Sequence, residues 1–228
     1  MLSHSTLTSI FKVDFFSHIT SLGVILDENL KLERQVNAIT KTAHFHLRKI
    51  KRVRNRITKD IAETLVNTLV TSRLDYCNAL LCHLPKKTIC KLQKVQNASA
   101  KMILQANKRS HVTPLLKRLH WLPVSYRCQF KVLILTFKIL HGTAPVYLKD
   151  LVSLYRPNRS LRSVNQFFLK RPGMPKKKCG ERAFSNLAPV LWNGLPTAIC
   201  KAESLNEFKS KLKSHFFIEH YGSGNEHI

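Results

Sequence analysis

The chain of 228 residues contains 38 Lys and Arg against 13 Asp and Glu, which gives a formal net charge of +25. Hydrophobic residues make up 44% of it, an ordinary share for a globular chain, so disorder throughout is excluded. No apolar run approaches the ~20 residues that span a bilayer, and the N-terminus lacks the pattern of a signal peptide, so we expect an intracellular protein, nuclear or cytoplasmic, without a membrane partner.

The first predicted elements are a strand, Leu22 to Leu26, and a long amphipathic helix. Apolar residues recur every three or four positions after the strand and predict one buried stripe, formed by Leu32, Val36, Ile39, Ala43, Leu47, Ile50 and Val53. The second half of this helix and the turn beyond it carry seven cations within twelve residues: Arg48, Lys49, Lys51, Arg52, Arg54, Arg56 and Lys59.

This basic run has two interpretations. Charge runs are usually solvated helix faces. Almost no acidic residue balances this one, however, and the whole chain is strongly positive, which favours contact with phosphates. RNA or DNA is therefore the expected partner, and the seven side chains are its candidate ligands. Lys94 and Lys101, on a later helix, are weaker candidates of the same kind.

Two further helices are predicted in the first half of the chain. Thr58 is the expected N-cap of the second helix, whose buried face combines two adjacent apolar columns, Ile61, Leu65 and Leu69 with Ala62, Val66, Val70 and Leu74. The segment Arg73 to Asn78 reads as a structural corner in which Arg73 and Asp75 pair. The third helix runs from Pro85 to about Gln105, with an inward face of Ile89, Leu92, Val95, Ala98 and Met102.

The next segment begins at Thr113 and Pro114, which fit an N-cap and a first helical residue. The tetrapeptide His120-Trp121-Leu122-Pro123 then interrupts the helix. Trp121 fits a core anchor better than a platform for base stacking. The following helix, about Ser125 to His141, is apolar on all sides, which predicts burial on most of its surface.

Residues 153–180 are rich in proline and basic residues and predict a loop. Such an arm either follows a phosphate backbone or is an ordinary solvated linker, and the sequence favours neither. A small hairpin between Val164–Leu169 and the stretch after Gly173 is possible within it. Beyond the loop we expect a helix from about Glu181, interrupted at Pro189, and a final helix with a capping box of Ser204 and Glu207. Residues 220–228 read as a frayed tail.

Candidate catalytic and metal-binding patterns are weak. Cys77, Cys82, His83 and Cys90 lack the C-x2-C spacing that places two thiolates on one zinc ion, so structural cysteines are favoured. No nucleophile elbow or glycine-rich phosphate loop occurs. Glu207-Phe208-Lys209 has a nuclease-like spacing but lies on an amphipathic helix. We expect no catalytic residue, metal or cofactor.

Six short blocks follow one another in a distinctive order: SLGVILD at 21–27, TSRLDYCN at 71–78, LQKVQN at 92–97, HWLPV at 120–124, RSLRS at 159–163 and APVLWN at 188–193. In this order and spacing they resemble the end of the reverse transcriptase, and the region after it, in jockey-type non-LTR retrotransposons (LINEs). The resemblance covers residues 22–217. It implies the C-terminal part of an RNA-directed DNA polymerase.

The resemblance also implies what the chain lacks. Polymerases of this kind hold two Mg²⁺ ions with carboxylates, and in the family those carboxylates lie upstream of the LGV strand. Here only Asp14 precedes Ser21, and no Asp-Asp pair occurs. We therefore expect the thumb and tail of such an enzyme without its palm, and no polymerase activity.

The expected fold is mainly α: a helical thumb-like bundle and a helical tail domain, with a short N-terminal strand and a possible small hairpin. Its expected divisions are a palm-edge remnant at 1–27, the thumb-like region at 28–108, and the tail at 109–228. Two functions remain open. One is a non-catalytic module that binds RNA or DNA through phosphates, and the other is a relic of a degenerate retrotransposon without independent activity.

Overall fold

A computed structural model describes residues 18–155, 168–173 and 178–222. It confirms the mainly α fold with a short N-terminal sheet. The strands are β1 His18–Ser21 and β2 Val24–Asp27. The helices are α1 Glu33–Val53, α2 Lys59–Val66, α3 Ser72–Asp75, α4 Lys86–Ile103, α5 Thr113–Arg118, α6 Val124–Leu140, α7 Val146–Lys149, α8 Lys178–Glu181, α9 Phe184–Asn193, α10 Thr197–Cys200 and α11 Leu205–Tyr221.

The N-terminal strand is part of a hairpin. Ser21 pairs with Val24 in an antiparallel register, so Leu22 and Gly23 form the two-residue turn. Both have positive φ, 47° and 75°, as a tight hairpin turn requires. The predicted strand from Leu22 was therefore wrong at its start, because Leu-Gly is not a typical turn pair. Its partner strand β1 was missed.

The first half of the chain packs around α1 and α4. The predicted stripe of α1 is buried at Leu32, Val36, Ile39, Ala43, Leu47 and Ile50, but its last member, Val53, is 41% exposed, so the prediction was wrong there. Thr58 is the N-cap of α2, as predicted. α2 continues through a π-helical segment, Asn67–Thr71, into α3.

Two predictions about inward faces were wrong. One predicted column of α2 is buried, but Ile61 in the other is 50% exposed. On α4, Ala98 is exposed while the rest of the predicted face is buried or half-buried. In both helices the apolar face is narrower than the sequence suggested, because only one side meets a neighbouring helix.

A buried amide network joins α4 to the segment before α6. Gln96 donates from Nε2 to the carbonyl of Leu122 at 2.9 Å, and Gln93 accepts from the backbone N–H of Val124 at 2.9 Å. The two glutamines bond to each other at 2.9 Å. Trp121 lies beside this network and is 8% exposed, so the core-anchor interpretation of Trp121 is confirmed.

The corner after α3 is held by an ion pair whose cationic partner was predicted wrongly. Asp75 receives two hydrogen bonds from the Arg127 guanidinium of α6, whereas the predicted partner was Arg73. Arg127 is 52 residues away in the chain, so local spacing could not identify it.

α6 connects the two halves of the molecule. Some of its buried residues belong to a first core cluster, whose members lie between Leu32 and Tyr221 in the chain. Others belong to a second cluster that contains Trp192, Phe208 and Leu212. The first cluster contains residues on both sides of the expected boundary at 108/109. The division into a thumb-like region and a tail stays a prediction, but packing across the boundary is continuous.

The segments after α7 are positioned by side chains. Leu154 pairs with Leu169 in an isolated antiparallel bridge. Asn193 accepts from the backbone N–H of Leu169 and donates to its carbonyl, both at 2.9 Å. Leu169 thus has Leu154 as a bridge partner. The predicted hairpin falls largely on residues 164–167 and 174–177, which lie outside the described residues, as does most of the basic loop.

The C-terminal helices differ from the prediction in two places. Pro189 lies inside α9, which continues to Asn193 without the expected interruption. Helix α11 extends to Tyr221, whose hydroxyl donates to the buried carbonyl of Trp121 at 2.7 Å. Residues 220–222 are therefore not a frayed tail, and 223–228 lie outside the described residues. The N-cap half of the predicted capping box is confirmed, since Ser204 Oγ accepts from the Glu207 N–H at 3.1 Å. The Glu207 carboxylate accepts from the N–H of Glu203 at 2.9 Å.

Replacing Gln96 by Leu should lower the free energy of unfolding by about 1–3 kcal/mol, because the carbonyl of Leu122 then lacks its donor in the core. Denaturant titration measures this change. The matched control is Asn206→Leu on the exposed face of α11, which should change stability by less than about 0.5 kcal/mol. Equal effects of the two changes would contradict the network's structural role.

Candidate nucleic-acid interface

α1 and α4 run side by side in the same direction. Near their starts, Lys91 donates from Nζ to the Asn37 side chain at 2.8 Å. Just beyond their ends, Gln105 and Asn55 approach to 3.5 Å. Two parallel helices in contact leave a groove along their seam, and the basic residues of both can meet there.

Arg54 fixes the end of this seam through its guanidinium. Its side chain is buried, and its guanidinium donates to three backbone carbonyls: Met102 at 3.0 Å, Ile57 at 2.9 Å and Ile103 at 2.7 Å. Two of these carbonyls belong to the last turn of α4, where a cation also complements the helix dipole. These three bonds give Arg54 a structural role, and its predicted phosphate contact stays a prediction.

The groove between the second halves of α1 and α4, here named the α1–α4 groove, has a volume of about 490 Å³. Arg48 and Lys51 line it from α1, while Lys101 and Lys108 line it from α4 and the following loop. No Asp or Glu is among its lining residues, all of which lie in the described range 18–155. Besides Arg54, which also lines the groove, four cations from α1, α4 and the following loop thus face one concave surface.

Lys101 is positioned by the loop that follows α4. Its ammonium donates to the backbone carbonyl of Lys108, and the side chain is half-buried. An ammonium group has three donors, so two remain for a ligand. This contact also holds the Lys108 segment beside α4, which closes one wall of the α1–α4 groove.

Two more lysines extend the charged rim. Lys41 precedes Arg48 by seven residues, and Lys94 precedes Lys101 by seven, so each lies two helical turns earlier on the same face. Both are exposed. Since α1 and α4 are parallel, the two rows of cations follow the same direction along the groove.

The remaining sequence candidates lie elsewhere on the surface. Arg52 is exposed on the outer face of α1. Lys49 is on the far flank, where its Nζ is 4.5 Å from the centre of the Phe45 ring. Arg56 and Lys59 are exposed at the turn before α2 and do not line the α1–α4 groove. The predicted basic run therefore divides among several faces.

The far flank of α1 is also positive. The pKa of His46 is lowered, first by partial burial and then by the charges of Arg73 and Lys49. A histidine near two cations loses its proton more easily because a third positive charge is disfavoured. Positive potential thus surrounds α1 on both sides, but only the α4 side forms a groove with cations from two helices.

Of the cysteines in the described residues, Cys82 and Cys128 are buried apolar side chains, whereas Cys90 is exposed. Burial raises the pKa of both Cys82 and Cys128 to about 12. In the described part of the chain, no group of three or more His, Cys, Asp or Glu side chains is arranged to hold a metal. Within the same ranges no helix has the length and apolarity needed to cross a bilayer.

Comparison with known proteins identifies no relative. No protein-family model, no curated protein and no solved structure matches this chain.

The sequence reasoning missed three groove residues: Lys41, His44 and Lys108. Lys41 and His44 fall before the dense basic run, although a seven-residue spacing from Arg48 and Lys51 placed them on the same helix face. Lys108 lies in a loop, and nothing local connects it to α1. Only the parallel packing of α1 and α4 brings it into the groove.

Arg54→Met should lower the free energy of unfolding by about 3 kcal/mol, since three buried carbonyls lose their donor. The control is Arg48→Met, an exposed change on the same helix, which should stay within about 0.5 kcal/mol. Denaturant titration of both variants decides the matter. A loss of stability no larger for Arg54 than for Arg48 would show that its guanidinium is not a structural clamp.

The folded chain should react with iodoacetamide at exposed Cys90 well before Cys82 and Cys128. At pH 8, a thiol with a pKa of about 12 is ionised in only roughly one molecule in 10⁴, and the thiolate is the reacting form. Peptide mass spectrometry gives the order of labelling. In denaturant the three sites should react alike, and early labelling of Cys82 in the folded chain would contradict its burial.

Proposed function

We propose that this chain is a non-catalytic module that binds the phosphate backbone of RNA or DNA in the α1–α4 groove. The observation that carries the proposal is the convergence of Arg48, Lys51, Lys101 and Lys108 on one concave surface without a lining carboxylate. Arginine contributes a planar fork for phosphate oxygens, and lysine contributes a mobile point charge.

The binding would be strong at low salt and weakly selective for sequence. Each cation that meets a phosphate releases counterions, so affinity falls with salt concentration. Lysine and arginine contacts to the backbone fix position but carry no sequence information. Between the cations the groove is lined by apolar Leu47, Ala98 and Met102, and near its end by Asn55 and Gln105, which approach each other to 3.5 Å. Cations outnumber the amide groups that could read a base edge, so preference among nucleic acids would come mainly from shape.

We further propose that the chain derives from the C-terminal part of a LINE-type RNA-directed DNA polymerase and has no polymerase activity. The blocks whose resemblance suggests this origin contain side chains that hold elements together. Gln93 and Gln96 of LQKVQN bind the HWLPV segment. Asn193 of APVLWN brackets Leu169, and Asp75 of TSRLDYCN binds Arg127. Residues with such roles are the ones a thumb-and-tail fragment would retain.

The variant Arg48→Gln/Lys51→Gln should flatten the salt dependence of binding. On duplex DNA the slope of log affinity against log salt falls by about 0.9 per phosphate contact, so the double change should reduce it by about 1.8. Fluorescence anisotropy across a salt series, with hairpin RNA, duplex DNA and single strands, measures the slope.

The charge-matched control is Lys149→Gln/Lys201→Gln, which removes two exposed lysines outside the groove. This control should lower the slope by less than half as much as the groove variant. If the two variants behave alike, or if the unmodified chain does not bind, the groove is not a binding site. The chain would then be a relic with an inherited basic surface.

A further inference from the structure

A second groove lies on the opposite half of the molecule, where α6, α11 and the turn after α3 meet. We name it the α6–α11 groove, and its volume is about 490 Å³. This volume falls in the range of ~300–1,000 Å³ that small-molecule sites occupy. Its walls are formed by residues of both core clusters, so packing of α6 and α11 fixes its shape.

One wall contains a buried hydrogen-bond acceptor without a partner. Asn78 lines the α6–α11 groove and is 4% exposed, yet its Oδ1 receives no hydrogen bond from the described residues. Its Nδ2 donates to the carboxylate of Asp75 at 3.3 Å. Turning the amide over would place its oxygen against that carboxylate, so the orientation is fixed. Buried amide oxygens normally have a donor, and this one lacks it.

The opposite wall is cationic. Lys131 of α6 and Lys209 and Lys213 of α11 line the same groove. The negative charge of Asp75 is already neutralised by Arg127. Three ammonium groups are thus left to balance an anion, and none of them has an ion pair with a described carboxylate.

The floor between these walls is apolar. Phe130, Ile134 and Leu122 line it, and Trp121 lies at its edge. A ligand that fits all three surfaces has an anionic group, a flat apolar body and an N–H or O–H donor. Phosphate alone meets only the first requirement, and an aliphatic acid lacks the flat body.

We propose that the α6–α11 groove binds a nucleotide. The phosphate lies against Lys131, Lys209 and Lys213, the base packs on the Phe130 side, and a base N–H donates to Asn78 Oδ1. That oxygen is covered from solvent, so binding includes a rotamer change of neighbouring side chains, a common adjustment at binding surfaces. The site goes beyond the backbone contacts of the α1–α4 groove, because it recognises a single nucleotide.

The test is displacement of a fluorescent N-methylanthraniloyl AMP probe, followed by anisotropy on the full chain. AMP and CMP should displace the probe at least 10-fold more tightly than ribose 5-phosphate or inorganic phosphate. Asn78→Leu should weaken the nucleotides about 10-fold and leave inorganic phosphate unchanged, since it removes the amide, with its Oδ1 acceptor and its Nδ2 contact to Asp75, and keeps the three lysines. Lys131→Gln/Lys213→Gln should weaken every competitor at least 10-fold, whereas Lys149→Gln/Lys201→Gln should change affinity less than 2-fold.

Several outcomes would overturn the site. Ribose 5-phosphate or an oligoglutamate peptide that competes as well as AMP would reduce the groove to a general anion site. An unchanged affinity in the Lys131→Gln/Lys213→Gln variant would show that the phosphate does not bind these lysines, and this comparison remains valid if Asn78→Leu fails to fold. If a single-stranded oligonucleotide also displaces the probe, the natural ligand is a nucleotide within a strand. If AMP displaces the probe and the oligonucleotide does not, the natural ligand is a free nucleotide. Arg48→Gln/Lys51→Gln should leave probe binding unchanged, which separates this site from the proposed function.

Discussion

The arrangement of the first half of the molecule depends on one buried guanidinium. Arg54 ends α1, but its hydrogen bonds go to the last carbonyls of α4 and to the turn before α2. Because one planar group binds three carbonyls from two segments, the ends of α1 and α4 are held at a fixed separation. The α1–α4 groove lies directly over this clamp. In the sequence Arg54 is one of a row of cations. In the structure it holds the two helices whose other cations line the groove.

The same logic recurs in the second half, where polar side chains fix backbone segments that lack regular structure. Gln93 and Gln96 hold the segment before α6, and Asn193 holds the strand-like residue Leu169. Each bond satisfies a backbone group that would otherwise be buried without a partner. Asn78 is the exception, since its amide nitrogen is used and its oxygen is not. Among the described side chains, this oxygen is a buried polar atom without a hydrogen-bond partner, and its residue lines the α6–α11 groove.

Local patterns predicted the elements well and their contacts poorly. The stripe of α1, the N-cap Thr58 and the capping box at Ser204 depend on neighbours within four residues, so periodicity and capping chemistry were sufficient. Asp75 pairs with Arg127, which lies 52 residues away in the chain. Strand β1 was missed because its pairing depends on an unusual turn. The site was predicted in part: Arg48, Lys51 and Lys101 meet in the groove, whereas Lys108 joins them only through helix packing that no short window encodes.

The central claim is that phosphates occupy the α1–α4 groove in preference to the rest of a strongly positive surface. Lysine acetylation with and without bound RNA or DNA, followed by peptide mass spectrometry, tests it at single residues. The account predicts protection of the groove and rim lysines, Lys41, Lys51, Lys94, Lys101 and Lys108, with Lys149 and Lys201 reacting as in the free chain. Uniform protection of all exposed lysines, or protection centred outside the groove, would contradict it.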